Sequence, residues 1–330
     1  MVFDGALFAP GFGREFGASV ADRLGTSLSP LEERDFEGGE HKCRPLVSVR
    51  GRATYVIASL AGDRTMSAND KLCRVLFLVG ALREASAGSV TVVLPYLCYS
   101  RKDRQTKARD PVTTRYVMQL FEAVGTERVM TLDVHNLAAF QNAARCATDH
   151  LEAATLFVDH VRRLAVGDPL AVVSPDVGGV KRADRLRQLL AAELGTHVEL
   201  AFTEKYRSRG VLSGRDALLG DVDGRVVVVY DDMISSGGTM LRAAQLLADR
   251  GARSIHLAAT HGLFTPDAAG LFRSPAVASV VVTDSVPQDR LPPDELGGKL
   301  QVLPVDGLIA AGLTIVDAGG SMTELLRLEE

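Results

Sequence analysis

The sequence predicts an α/β fold: two similar domains, each a mostly parallel sheet flanked by helices. Short β-branched runs recur along the whole chain, segments with helical spacing separate several of them, and two distant stretches share one layout. The candidate strands, in order, are TYVIASLAG, SVTVVLPYL, RVMTLDVHN, LAVVSPDVGG, HVELAFTEK, RVVVVYDD, SIHLAATHG and SVVVTDSV. Their enrichment in Val, Ile and Thr and their turn-forming borders are what strands show. Between them, NDKLCRVLFLVGALREASA and TTRYVMQLFEAVG carry apolar residues at helical intervals. Strand, helix, strand in repetition implies parallel sheets covered by helices.

The shared layout is VVLPYLCYSRKDR at 92–104 and VVSPDVGGVKRADR at 172–185, each running strand, proline, turn, basic segment. It fits two α/β domains, with a boundary expected near residue 150. The first domain is expected to cover 1–150, joined by a C-terminal helix at 317–330, and the second 151–316. No low-complexity linker marks the join.

Composition excludes several function classes. A chain of 330 residues that is 46% hydrophobic and 24% charged reads as a soluble globular protein. Lys plus Arg number 37 against 41 Asp plus Glu, so no basic excess points to nucleic acid and any anion site must be local. The start MVFDGALFAPGF carries Asp4 and no basic segment before its apolar stretch, unlike a signal peptide, and no apolar run reaches membrane-spanning length. Cys43, Cys73, Cys98 and Cys146 are widely spaced with no paired CxxC, which suits reduced thiols in packing roles. A cytoplasmic location is expected.

The chemistry concentrates at VVVVYDDMISSGGTM, residues 226–240. Val226 to Tyr230 lack alternation, as a strand buried on both faces would. TMLRAAQLLADRG then puts Met240, Ala243, Ala244 and Leu247 on one helical face before Gly251 ends it. Ser235 to Thr239 therefore lie where a strand turns into a helix, the carboxyl end of a parallel strand. Gly237 and Gly238 let the backbone approach a ligand, first-turn N–H groups point outward, and Ser235, Ser236 and Thr239 add hydroxyls. This describes a phosphate cradle, and it is not the Walker A pattern because no GK[ST] follows. Carboxylates repel phosphate, so Asp231 and Asp232 make sense beside sugar hydroxyls or magnesium. An Asp pair ahead of an ordinary Ser/Gly loop and helix cap is the bland alternative.

This stretch resembles the 5-phosphoribosyl-binding motif of the type I phosphoribosyltransferase fold. Further segments narrow the resemblance to ribose-phosphate pyrophosphokinases, also called phosphoribosyl pyrophosphate synthases: RDFEGGE (34–40), NDKLCRVLFLVGALREASAGSVTVVLPYLCYSRKDR (69–104), RVMTLDVHN (128–136), VVSPDVGGVKRA (172–183), TEKYR (203–207) and DAGGSMTELL (317–326). The resemblance implies a phosphoribosyltransferase-like fold and transfer of the diphosphoryl group of ATP to the 1-hydroxyl of ribose 5-phosphate, releasing AMP, with Mg2+ as cofactor. It implies ribose 5-phosphate at Arg207, Asp231, Asp232, Ser235, Ser236, Gly237, Gly238 and Thr239. ATP is implied at Phe36, Gly38, Gly39, Glu40, Arg101, Lys102, Asp103 and His135, with metal at His135 and Asp176. Lys205 and Arg207 fall at the family's catalytic pair, in a polar segment read as a hairpin or flap; cations there would meet charge on the moving phosphoryl group. The implied assembly is a homo-oligomer, a hexamer or smaller even-numbered form, with Phe36 and Glu40 reaching a neighbouring subunit's site.

The chain also departs from the family pattern. Gly38 stands where Asp is usual, Lys102 where Gln is more frequent, and Ser235 where many relatives have Asp. LAAFQNAAR follows His135 in place of a glutamine-rich QIQGFF run. Read without the family, SRKDRQTKARD is as well explained by a solvated basic loop, and His135 by a structural hydrogen-bonding group. Two further functions stay open: a nucleobase phosphoribosyltransferase, which would share the DDMISSGGT loop, and a catalytically weak regulatory subunit of the same family.

Overall fold

The computed structural model describes residues 3–204, 207–208, 211–212 and 217–326. The chain divides into two compact units, one running to Glu152 and resuming at Val305, the other spanning Ala153–Pro304.

In the first unit the chain forms β1 (Ala6–Phe8), α1 (Arg14–Arg23), β2 (Leu31–Asp35), β3 (His41–Pro45), β4 (Ala53–Ile57), α2 (Ala68–Glu84), β5 (Ser89–Leu94), α3 (Thr113–Ala123), β6 (Arg128–Leu132), α4 (Leu137–Ala143) and β7 (Ala147–Leu151). Strands β1, β4, β5, β6 and β7 lie in that order in one parallel sheet, while β2 and β3 form a separate antiparallel hairpin. Helix α2 begins at a capping box: the Ser67 hydroxyl accepts from the Asp70 N–H, and the Asp70 carboxylate accepts from the Ser67 N–H. Two orphan donors of the first turn are thereby satisfied.

The second unit contains α5 (Ala154–Leu164), β8 (Leu170–Ser174), α6 (Val180–Leu194), β9 (Glu199–Glu204), β10 (Arg207–Ser208), β11 (Val211–Leu212), β12 (Ala217–Leu219), β13 (Val226–Ile234), α7 (Gly238–Asp249), β14 (Ser254–Gly262), α8 (Ala269–Arg273), β15 (Ser279–Thr283) and β16 (Leu300–Leu303). Its main sheet has the order β12-β9-β8-β13-β14-β15-β16 and is parallel except for β12. Val226 to Tyr230 are all buried, as the unbroken apolar run predicts. Their alternate side chains serve different layers. Val227 and Val229 join Met240, Ala243, Ala244 and Leu247 of α7 in one apolar cluster, whereas the Tyr230 ring meets Phe157 of α5 at 5.2 Å between centroids. A strand covered on both faces has no polar face to show, which is why its pattern does not alternate.

Helix α9 (Asp306–Asp317) and α10 (Thr323–Leu326) close the chain. The return to the first unit therefore comes at Val305, earlier than the expected 317, and both ends of α9 are tied to that unit. Asp306 accepts from the Ser19 hydroxyl at 2.5 Å and pairs with Arg23 at 3.1 Å, while Asp317 accepts from the Tyr55 hydroxyl at 2.9 Å and the Asp4 N–H at 3.0 Å. The fold thus differs from the expected boundaries where charged helix ends find partners far away in sequence. All four cysteines are free thiols. Burial pushes Cys43 and Cys98 up to about 12, which suits inert packing groups, but Cys73 is exposed on α2 and has no such role.

Among the described residues, no helix is long and apolar enough to cross a membrane. Leu247 is wholly buried between α7 and the sheet. Leu247→Ala is expected to cost about 2–5 kcal/mol in urea unfolding, by lost transfer energy plus the cavity left behind.

Candidate active site

In the second unit β8 leads outward to β9, and the chain then re-enters on the other side of β8 as β13. The strand order reverses between these two, and ligands of open parallel sheets bind outside the carboxyl ends at such a reversal. Both strand ends carry chemistry here.

Strand β13 continues through Ile234, so Asp231 and Asp232 lie within it. Asp232 is buried, with 2% exposure, and Asp231 is largely so. Two carboxylates this close would repel one another in a medium that solvates neither well. Arg182, in the first turn of α6, lies against both: Nη1 is 2.8 Å from Asp231 Oδ1 and 3.3 Å from Asp232 Oδ1. Burial, reinforced by the charge of Asp232, still holds the Asp231 carboxyl well above the usual carboxylate range, and Arg182 opposes that rise. Gly179 lies beside this pair: a Cβ there would sit 2.7 Å from Ser174 Oγ, too close, and at an ordinary 3.6 Å from both Arg182 Nη1 and Asp231 Oδ1.

Beyond β13, Ser235 to Gly237 form the turn into α7. Gly237 has φ of +75°, and a Cβ there would sit 2.9 Å from Leu271 Cδ1, so conformation and packing both demand glycine. The segment after β14 fixes the turn from behind. The Leu263 N–H donates to Ile234 O at 2.9 Å, and the Thr265 N–H to Ser235 O at 3.0 Å. Helix α7 has no side-chain cap. Its first-turn N–H groups lack intrahelical partners and carry the positive end of the helix dipole, which makes the turn fit for an anion. Asp176, at the end of β8, caps the short turn Val177–Gly179 by accepting from the Gly179 N–H at 3.1 Å.

The first unit holds the other predicted residues. Phe36, Gly38, Gly39 and Glu40 make the β2–β3 turn, closed by the Phe36 N–H donating to Glu40 O at 2.8 Å. Gly38 and Gly39 both have φ of +87°, a conformation that residues with side chains rarely adopt. Phe36 is exposed, with the Arg34 guanidinium 4.9 Å from its ring centroid. The basic loop follows β5. Within it Asp110 accepts from the Thr106 hydroxyl at 2.6 Å and the Lys107 N–H at 3.0 Å, and lies 3.5 Å from Lys102 Nζ; these contacts, the Thr106 hydroxyl first, hold its carboxyl below the usual range. Arg101 is exposed. Asp103 accepts from Asn136 Nδ2 at 2.7 Å, tying the loop to the turn that carries exposed His135.

His135 belongs to the first unit and Asp176 to the second. Among the described residues, no cluster of three or more His, Cys, Asp or Glu side chains forms a metal cage. Lys205 lies outside the described residues; the Arg207 backbone pairs with Leu212 across β10 and β11, and its side chain lies outside them. Sequence reasoning missed Arg182. Its signal was present, a basic residue one turn into the helix after SPDVGG, but nothing in spacing says that it reaches across to β13.

Residues 6–125 match the model for the N-terminal domain of ribose phosphate pyrophosphokinase, and residues 215–327 match the phosphoribosyl synthetase-associated domain. The chain is 31% identical to ribose-phosphate pyrophosphokinase 1 of Streptococcus pneumoniae serotype 4 (strain ATCC BAA-334 / TIGR4), over 98% of this chain and 97% of that protein. It is 32% identical to a ribose-phosphate pyrophosphokinase of Caldanaerobacter subterraneus subsp. tengcongensis, over 97% and 96% respectively. The crystal structure of phosphoribosylpyrophosphate synthetase from Mycobacterium smegmatis superposes with a TM-score of 0.84 at 31% identity, covering 96% of this chain and 99% of that one. An α/β sheet with an uncapped helix start at its switch point is thus joined to likeness along nearly the whole chain. The chain belongs to the ribose-phosphate pyrophosphokinase family of enzymes.

Replacing Arg182 isolates its electrostatic part. Arg182→Met removes the cation that contacts both buried carboxylates, an expected loss of about 3 kcal/mol at pH 8. A carboxyl whose folded pKa lies above its unfolded value favours the fold below the unfolded pKa, and that contribution disappears as pH rises through the folded one. The difference between Arg182→Met and wild type in urea unfolding should therefore shrink as pH is lowered from 8 to 5.5.

Proposed function

We propose that this chain transfers the diphosphoryl group of ATP to the 1-hydroxyl of ribose 5-phosphate, giving 5-phosphoribosyl 1-diphosphate and AMP. The observation that carries the reading is the pairing, at one switch point, of an uncapped helix start with two buried carboxylates beside Arg182. The turn Ser235–Thr239 takes the 5-phosphate through main-chain N–H groups and hydroxyls. Asp231 and Asp232 accept from the sugar hydroxyls, and the Arg182 charge favours the ionised form of Asp231 against its burial.

In the reaction the 1-hydroxyl oxygen bonds to the β-phosphorus, the bond from that phosphorus to the α–β bridging oxygen breaks, and AMP leaves with that oxygen while the hydroxyl proton departs. Positioning and cationic charge do most of the work in such transfers. Lys205 and Arg207 are the proposed charge stabilisers. Arg101, Lys102 and His135 are assigned to the ATP phosphates, with Phe36, Gly38, Gly39 and Glu40 on the adenine side. Asp103 serves the ATP side through the Asn136 contact, and the assembly is a homo-oligomer. Free thiols suit a reducing compartment, and the cytoplasm is the proposed location.

Magnesium fits the residues present. Asp176 Oδ1 is engaged in the cap of Gly179, which leaves Oδ2 as a hard oxygen donor. A cation that keeps several waters and takes phosphate oxygens needs few protein ligands. Asp176 and His135 are each proposed as a protein ligand to magnesium, the carboxylate being the better match to this metal. When bound, the metal would neutralise phosphate charge.

Purified protein with magnesium should release AMP from ATP only when ribose 5-phosphate is present, with phosphorus NMR finding an intact diphosphate on the sugar. AMP release that ignores the sugar, or none from a folded protein that binds it, would overturn the reading. Lys205→Ala should lower kcat by about 10²–10³. Unchanged turnover would remove Lys205 from its assigned role.

A further inference from the structure

Between β6 and α4 the chain makes a tight turn, Asp133 to Asn136, that presents His135. Asp133 is buried and has φ of +38°, a backbone conformation that non-glycine residues rarely adopt. Such a conformation persists only where surrounding contacts hold it. The Asp133 N–H donates to Leu151 O at 3.0 Å, extending the β6–β7 ladder by one bond. Asn136 accepts the Ala139 N–H at 3.1 Å as cap of α4 and donates to Asp103 at 2.7 Å.

A further tie comes from a side chain. The Val134 N–H donates to His150 Nε2 at 3.2 Å, from β7, where His150 lies beside Thr131 in register. The Val134 N–H belongs to the peptide joining Asp133 to Val134, so this bond fixes that peptide, one residue ahead of His135. Nε2 must be the unprotonated nitrogen to accept, which puts the proton of the neutral ring on Nδ1.

We propose that His150 is a positioning residue for ATP: by accepting the Val134 N–H it holds the strained turn in the one geometry that presents His135 to the nucleotide's phosphates. The inference rests on the assignment of His135 given above. His150 touches no substrate itself. In this role His150 supplies an acceptor at Nε2, and an amide oxygen in the same place supplies one too. Glutamine supplies one, because its terminal atoms reach where Nε2 stands, and leucine does not.

The test uses the full-length protein with magnesium and α,β-methylene-ATP, read by calorimetry and so independent of turnover. His150→Leu should weaken analogue binding about fivefold, the scale of one lost hydrogen bond. Binding of ribose 5-phosphate should stay as in wild type, and His150→Gln should restore analogue affinity. Nitrogen NMR of the wild-type ring should show Nε2 unprotonated. Equal behaviour of the Leu and Gln variants would overturn the proposal, as would a loss in His150→Leu that falls alike on both ligands with a lower melting temperature. His135→Ala separates the two layers. If it weakens analogue binding and His150→Leu does not, the positioning role fails while the assignment of His135 stands; if it leaves binding unchanged, the assignment fails and the positioning role with it.

Discussion

Two carboxylates in adjacent positions of a buried strand are an electrostatic problem that a protein solves only with a cation nearby or a proton. Here the cation is Arg182, reaching from the first turn of α6 to both Asp231 and Asp232. The arrangement needs a strand order that brings the ends of β8 and β13 side by side. The pair is poised rather than fully stabilised, since burial still disfavours the charge on Asp231. An incoming set of sugar hydroxyls would complete the hydrogen bonding that water provides elsewhere.

The rest of the second unit serves that juxtaposition. Val227 and Val229 anchor β13 to α7 on one face, and Tyr230 against Phe157 fixes the other, so the strand end is held on both sides. The turn from β13 into α7 is braced from the segment after β14 and by Leu271, whose Cδ1 would lie 2.9 Å from a Cβ at Gly237. A site whose backbone is fixed by packing binds without first having to order itself. The first unit follows the same logic on a smaller scale: Asp103, Asn136 and His150 converge on the turn that carries His135.

Much of this was legible in the sequence. The unbroken Val226–Tyr230 run announced a doubly covered strand, and the helical face Met240, Ala243, Ala244 and Leu247 is the face α7 buries. Gly237 could be read as the residue at the turn because its type and place both carry information. Short or partly exposed strands were not legible: β7, reading ATDHL, has an Asp and a His where a strand pattern wants apolar residues. Arg182 and His150 were also invisible, for a different reason. Each acts on a residue far away in the chain, and such pairing is set by sheet order, which periodicity does not encode. The earlier return of the chain at Val305 belongs to the same class, because Ser19, Arg23 and Tyr55 select α9 through contacts that span most of the sequence.

The most direct test of the central claim is a crystal structure of this protein with ribose 5-phosphate. The account predicts the phosphate against the main-chain N–H groups of the 236–239 turn, with the sugar hydroxyls on Asp231 and Asp232. A phosphate bound instead among the basic residues of 101–109, with the turn after β13 bearing no ligand, would contradict it.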